Sequence, residues 1–300
     1  MDKIGMEHKI VLVTGGNGYL GRYLVRALKN MNAKVCVIDK EGRDDDTFIK
    51  VDITDRKAVQ DAVKKIKPQI VFHLASSLNR NRDFKEYKAV NEINHIGTFN
   101  LLYALKDIAY ENFIFTSTSE IYGDNNAPFN EDQIPKPVSQ YSLTKVYAEN
   151  LIQTFSSNFG KNYTILRLFN FYGKNMPSNF FIPQMIDALK NKKWFDMTKG
   201  EQKRDFLYVD DVVQALLLSA TKKAAQNETF NVCSGKTSTL KQLALEVKAK
   251  MKSECEIRFG AIQYRNNEVW NMVGDNSKIR QKLNFEVKYD LASGIGKILQ

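Results

Sequence analysis

Tyr141 and Lys145 stand four residues apart in Tyr-Ser-Leu-Thr-Lys, so on a helix they share one face, one turn apart. A phenol in water holds its proton up to about pH 10. To exchange that proton with an alcohol or carbonyl oxygen near neutrality, its anion must be stabilised by about 4 kcal/mol. An ammonium one turn away supplies part of this. Upstream, Ser117-Thr118-Ser119-Glu120 offers a second hydroxyl on Thr118 and a carboxylate on Glu120 that can carry a proton. Taken alone, Tyr-x-x-x-Lys arises often by chance on packed surface helices. Its weight here comes from what precedes it.

What precedes it is Thr14-Gly15-Gly16-Asn17-Gly18-Tyr19-Leu20-Gly21, directly after the apolar run ending at Thr14. Gly15 permits a tight turn, Gly18 a close backbone approach to a pyrophosphate, and Gly21 close helix-to-sheet packing. The helix that follows presents free N–H groups to the phosphates. Asp39 falls eighteen residues after Gly21, at the end of the second strand-like run. A carboxylate there accepts hydrogen bonds from ribose hydroxyls and repels a 2′-phosphate, which favours NAD over NADP. Lys40 and Arg43 nearby keep NADP as the alternative. A turn residue at a strand end is the plainer reading of Asp39, and the glycine loop outweighs it. Asp52 is placed to reach the adenine edge.

The elements needed to hold these groups can be read from periodicity. Strand-like runs at Lys9–Thr14, Lys34–Asp39, Ile70–Leu74, Phe113–Ser117 and Tyr163–Phe169 alternate with helical ones at Tyr19–Asn30, Thr54–Ile66, Glu92–Ala109 and Tyr141–Asn158. That alternation predicts an α/β fold: a Rossmann-type doubly wound parallel sheet. After Asn170 the pattern loosens. Met176–Pro183 reads as irregular, Pro183–Asn191, Asp210–Ala220 and Leu240–Lys250 as helices, and the tail as short strands and polar turns. The expected division is a nucleotide-binding domain over 1–170 and a smaller C-terminal substrate-binding lobe over 171–300, with 208–232 returning to the first domain.

Length and composition suit a globular enzyme: 300 residues, 43% apolar and 26% charged, with 6 prolines. Three widely spaced cysteines fit neither a disulfide framework nor a zinc pattern. No signal-peptide core and no apolar run long enough to span a membrane is present, so the expectation is a cytoplasmic protein with no membrane partner. The net charge of +10 raises nucleic-acid binding, but the basic residues are scattered and no basic arm with interleaved aromatics exists. No nucleic-acid partner is expected.

With these pieces placed, the chain resembles the extended short-chain dehydrogenase/reductases of the nucleotide-sugar epimerase/dehydratase group along nearly its whole length. The cofactor fingerprint matches at 14–21. His73-Leu74-Ala75-Ser76 resembles the family's motif after the fourth strand, and Asn94-x-x-Gly97-Thr98 its central-helix motif. Ser-Thr-Ser-Glu-x-Tyr-Gly at 117–123 and Tyr-x-x-x-Lys at 141–145 match its catalytic motifs. Arg167-Leu-Phe-Asn170-x-Tyr-Gly and Arg204-Asp-Phe-x-Tyr-Val-x-Asp resemble its substrate-contacting segments. The resemblance implies a dinucleotide shell of Gly15, Gly18, Tyr19, Leu20, Gly21, Asp39, Asp52 and Ile53. That shell continues through Leu74, Ala75, Ser76, Asn94, Ser117, Tyr141, Lys145 and Phe169. It gives Tyr141 the acid/base role, Lys145 the task of lowering its pKa, and Thr118 an assisting one. Thr118, Ser119, Asn170, Arg204 and Arg265 would hold a nucleotide-diphosphate sugar, and two arginines with an amide do suit a dianion. Arg265 reads equally as a surface arginine on a turn. His73 reads as packed beside the cofactor rather than catalytic.

Three reactions share this apparatus. Glucose-type dehydratases of the family carry Asp-Glu after the threonine, where this chain has Ser119-Glu120, closer to mannose-type dehydratases. Epimerases need no extra acid. The expectation is an NAD-retaining epimerase or 4,6-dehydratase, with an NADPH-dependent 4-ketosugar reductase of a deoxysugar pathway as the alternative. The resemblance also implies a homodimer built on helices near 98–109 and 141–158, and a place in polysaccharide biosynthesis.

Overall fold

The computed structural model describes residues 5–42 and 47–300; Arg43 lies outside them. The first half runs β1 (Ile10–Thr14), α1 (Tyr19–Asn30), β2 (Lys34–Asp39), β3 (Phe48–Lys50), α2 (Arg56–Ile66) and β4 (Ile70–His73). It continues through α3 (Tyr87–Asn91), a π-helical turn at Glu92–Ile96, α4 (Gly97–Leu105), β5 (Asn112–Thr118), a 3-10 turn at Ser119–Tyr122, α5 (Gln140–Phe159) and β6 (Tyr163–Leu168). The second half adds β7 (Asn170–Tyr172), α6 (Phe181–Asn191), β8 (Trp194–Met197), β9 (Lys203–Arg204), β10 (Phe206–Tyr208), α7 (Val209–Thr221) and β11 (Glu228–Val232). Last come β12 (Ser238–Thr239), α8 (Leu240–Met251), β13 (Glu256–Phe259), β14 (Asn271–Met272), α9 (Ser277–Leu283) and α10 (Leu291–Leu299).

Seven parallel strands form the main sheet in the order β11-β6-β5-β4-β1-β2-β3. Every residue of β4 and β5 is buried, as strands covered on both faces must be. One face packs Leu24 and Leu28 of α1 and Val212 and Leu216 of α7 against Val11, Val13 and Phe72. The other packs Val59 and Val63 of α2, Leu101 and Leu102 of α4, and Ala148 and Ile152 of α5 against Leu12, Val71 and Phe115. This is the doubly wound Rossmann arrangement. Its chain reversal falls at β1, which lies between β4 and β2, so a ligand crevice opens beyond the C-terminal ends of those strands.

The smaller lobe has its own core, where Ile182, Met185 and Leu189 of α6 meet Leu243 and Val247 of α8 and Met197 of β8. β9 pairs with β14, setting Arg204 beside Met272. β7 pairs with β10, setting Asn170 beside Phe206. β11 pairs with β6, so the chain re-enters the main sheet between the two stretches that build the lobe.

Two regions differ from the periodicity. The helical stretch starts at Tyr87, ends at Leu105 and contains a π-helical turn, an irregularity common where a helix serves a site. The tail holds two helices. In α9 only Ile279 and Leu283 are buried, too sparse an apolar signal to read. In α10, Gly294 and Gly296 mimic a turn.

Candidate active site

The glycine loop is shaped by close approach. Gly15 has φ +71°, and a Cβ there would stand 2.7 Å from the Ala75 nitrogen. A Cβ on Gly21 would stand 2.3 Å from the Gly15 carbonyl oxygen, so only glycine lets α1 start this near the turn. Gly18 caps α1 in extended conformation and no side chain caps it, leaving the first-turn N–H groups of Tyr19, Leu20 and Gly21 for a phosphate. The Tyr19 ring itself stacks on Phe171, with centroids 6.2 Å apart, and so ties the loop to the lobe. Asp39 ends β2 beside this loop, and its carboxylate accepts from the Asn17 N–H at 3.1 Å. Asp52 is exposed after β3 and accepts from the Thr54 N–H and hydroxyl at 2.9 and 2.8 Å, while Ile53 is buried against α4. A bare glycine cradle with an acid at its rim fits a dinucleotide.

On the far side of β1, the chain after β4 is held by Asn94 of the π-helical turn. Its Oδ1 accepts from the Ser76 hydroxyl at 3.0 Å and the Ser77 N–H at 2.7 Å. Its Nδ2 donates to the Ser77 carbonyl at 3.1 Å and to the Thr144 hydroxyl at 3.0 Å. One saturated buried amide thus fixes the Leu74–Ser77 segment relative to the helix bearing Tyr141 and Lys145. The Leu74 N–H donates to the Thr14 carbonyl at 3.1 Å and the Ala75 N–H to the Thr14 hydroxyl at 3.3 Å. His73 lies fully buried beneath. The Thr98 hydroxyl donates to the Asn94 carbonyl at 2.6 Å, so His73 Nε2–H donates to Thr98 at 2.9 Å, and in that neutral tautomer Nδ1 accepts from the Thr14 hydroxyl at 2.6 Å. The neutral imidazole is favoured because burial, then the nearby Lys145 charge, push its pKa down to about 3.

Tyr141 and Lys145 come from the first two turns of α5, whose N-terminus is capped by a Ser139–Ser142 box. They are 5% and 1% exposed. Lys145 Nζ donates to the Thr116 carbonyl at 2.8 Å and lies 5.9 Å from the Tyr141 ring centre. Burial pushes the lysine down to about 7, with the Glu149 carboxylate one turn further on pulling it up. Burial also raises the Tyr141 phenol, against a downward pull from Arg80 and the Thr118 hydroxyl and an upward push from Glu120. Thr118 ends β5, and its hydroxyl accepts from the Glu120 N–H at 3.2 Å. Glu120 accepts from the Ser139 hydroxyl and stands 3.4 Å from Arg80 Nε. Ser117 donates to Glu149, which is forked by Arg167 at 2.9 Å in a buried ion pair.

A cleft of about 490 Å³ between sheet and lobe is lined by Thr118, Ser119, Glu120, Phe169, Asn170, Arg204 and Arg265. Asn170 Nδ2 and Ser119 Oγ lie 3.5 and 3.4 Å from Met272 Sδ on one wall. Arg204 is bonded to Glu268 and donates to the Val269 carbonyl at 2.7 Å. Burial lowers its pKa, Glu268 opposes this, and Arg265 and Arg82 add to it, so three guanidiniums share one region. The structure thus brings the threonine and glutamate into an arginine-bearing cleft, with the buried tyrosine and lysine behind them, the Tyr141 ring centre 5.4 Å from the Arg80 guanidinium carbon. It adds Arg80 and Arg82, which also line that cleft. Their one trace in the sequence is the Asn-Arg-Asn-Arg run at 79–82, shortly after the strand-four motif.

A doubly wound sheet with a glycine cradle at its reversal point, and a buried Tyr–Lys pair beside a cationic cleft, defines an extended short-chain dehydrogenase/reductase. The chain belongs to the NAD dependent epimerase/dehydratase family, whose model matches residues 11–233, and NAD is accordingly its cofactor. It is 28% identical to a GDP-6-deoxy-D-talose 4-dehydrogenase of Aggregatibacter actinomycetemcomitans, over 93% of this chain and 92% of that one. It is 33% identical to a dTDP-D-glucose 4,6-dehydratase of Dictyostelium discoideum, over 68% of this chain and 54% of the relative. A UDP-glucose 4-epimerase of Thermotoga maritima, solved with UDP-glucose, superposes with a TM-score of 0.89 at 29% identity, over 96% of this chain and 97% of that one.

Proposed function

We propose that this enzyme keeps NAD bound and converts a nucleoside-diphosphate sugar at C4 without net redox change, as epimerases and 4,6-dehydratases do. The observation that carries the reading is a cleft lined by Thr118, Arg80, Arg204 and Arg265, with the buried Tyr141 ring directly behind it, 5.4 Å from the Arg80 guanidinium carbon. A diphosphate held by the arginines and Asn170 leaves the sugar to reach toward the tyrosine. The glycine cradle, Asp39 and the Asn94-clamped segment after β4 would hold the dinucleotide, which supplies a hydride acceptor and returns the hydride. Thr118 aligns the C4 oxygen, Tyr141 takes its proton and gives it back, and Lys145 favours the phenolate while protonated. Burial of all three excludes water from the exchange.

Glu120 distinguishes the two outcomes. It is one carboxylate, engaged by Ser139 and Arg80, and Ser119 stands where the glucose-type dehydratases carry their acid. That favours epimerisation. Similarity to a 4-dehydrogenase supports a second reading, reduction of a 4-ketosugar nucleotide at the expense of NAD(P)H. The test is incubation of purified enzyme with a panel of UDP-, GDP- and dTDP-sugars and no added cofactor, with products read by NMR. A C4 epimer supports the first reading. Turnover only with a 4-ketosugar nucleotide and added reduced cofactor replaces it with the second. A homodimer resting on α4 and α5 is part of this proposal, as half-exposed Tyr103, Tyr147 and Phe159 on those helices suit a covered face.

A further inference from the structure

We propose that Arg80, on the loop after β4, is a positioning residue for the acid/base tyrosine: its guanidinium is shared between Glu120 and the face of Tyr141 and stabilises the phenolate from the cleft side. The inference rests on the reading of Tyr141 as the proton carrier. Lys145 is an incomplete counter-charge. Its ammonium is committed to the Thr116 carbonyl at 2.8 Å, sits 4.5 Å from the Phe115 ring centre, and is held to about 7 by burial. A second protein cation would therefore add to the stabilisation of a phenolate in this buried position.

Arg80 is placed to be one. Its guanidinium carbon is 5.4 Å from the Tyr141 ring centre, closer than the lysine nitrogen at 5.9 Å. It approaches Glu120 with Nε at 3.4 Å from Oε2, a looser contact than the 2.6 and 2.7 Å hydrogen bonds that Arg258 makes with Asp196. Its side chain is 41% exposed and lines the same cleft as Thr118 and Glu120. A guanidinium stays charged at every working pH, which a lysine held to about 7 does not.

The charges around Tyr141 are then Lys145 on its own helix, Arg80 on the loop after β4, and Glu120 after β5, with His73 neutral below. Arg80 and Lys145 favour the phenolate and Glu120 opposes it. Glu120 also anchors Arg80, so the pair sets the base strength of Tyr141 between two limits.

The test uses NAD-loaded enzyme and reads the phenolate absorbance of Tyr141 against pH, with Tyr141→Phe as the blank. Arg80→Gln is expected to move this titration up by about one pH unit. Arg80→Lys should restore most of the shift, and Glu120→Gln should move it the opposite way. The turnover profile should follow, with Arg80→Gln about tenfold slower near neutrality and recovering at higher pH. An unmoved titration in Arg80→Gln, or shifts of one sign in Arg80→Gln and Glu120→Gln, would overturn the proposal. The titration needs no substrate, so it can fail while sugar turnover stands, and it can succeed if no sugar tried is converted.

Discussion

His73 shows how one buried residue ties the cofactor crevice to acidity. Both ring nitrogens are engaged by threonines, and burial beside Lys145 opposes a second ring proton. Its pKa is pushed down from 6.5 to about 3. A depressed pKa gives stability that is complete above the unfolded value and is lost as pH falls toward the folded one. Asp205 works oppositely, since burial raises it to about 6, and it masks part of the effect in the parent protein. The difference between parent and His73→Gln isolates the histidine. Urea unfolding at two pH values should give the parent about 2 kcal/mol more loss than the variant between pH 7 and pH 5. Parallel curves would mean that the imidazole takes up its proton within the fold.

At the scale of elements, strands β1, β2, β4, β5 and β6 were legible because each is a short apolar run bounded by turn residues, and α1 because its apolar stripe follows the glycine loop. Tyr141, Lys145 and Thr118 could be nominated together from residue type and order. Arg80 could not, because its meaning depends on a loop that brings it over the Tyr141 ring, and loop paths leave no period in a sequence. The helix α10 was hidden for a different reason. A Cβ on Gly294 would stand 2.1 Å from the Tyr172 hydroxyl, while Gly296 has nothing within 4 Å. The first glycine is required by packing and the second is a tolerated weak spot. Gly296→Ala should therefore stabilise the protein by about 1 kcal/mol through helix propensity, whereas Gly294→Ala should lower the melting temperature because buried Tyr172 must shift. Equal effects from both would mean that α10 does not dock through Tyr172.

For the whole molecule, the cleft lies between the main sheet and the lobe, with Arg80 and Arg82 coming from the loop after β4 and Arg204 and Arg265 from the lobe. Among the described residues no helix is long and apolar enough to cross a membrane. Light scattering is expected to give about twice the 34.4 kDa chain mass, and a monomer mass would leave the aromatic faces of α4 and α5 without the proposed partner. The central claim is that Tyr141 moves the proton while NAD stays in place. It is tested most directly by Tyr141→Phe, in one preparation that measures both nucleotide-sugar turnover and the dinucleotide released on denaturation. The account predicts turnover lower by about a thousandfold with NAD still present at the parent's level. Turnover near the parent's rate with NAD retained would contradict it and move the proton to another residue.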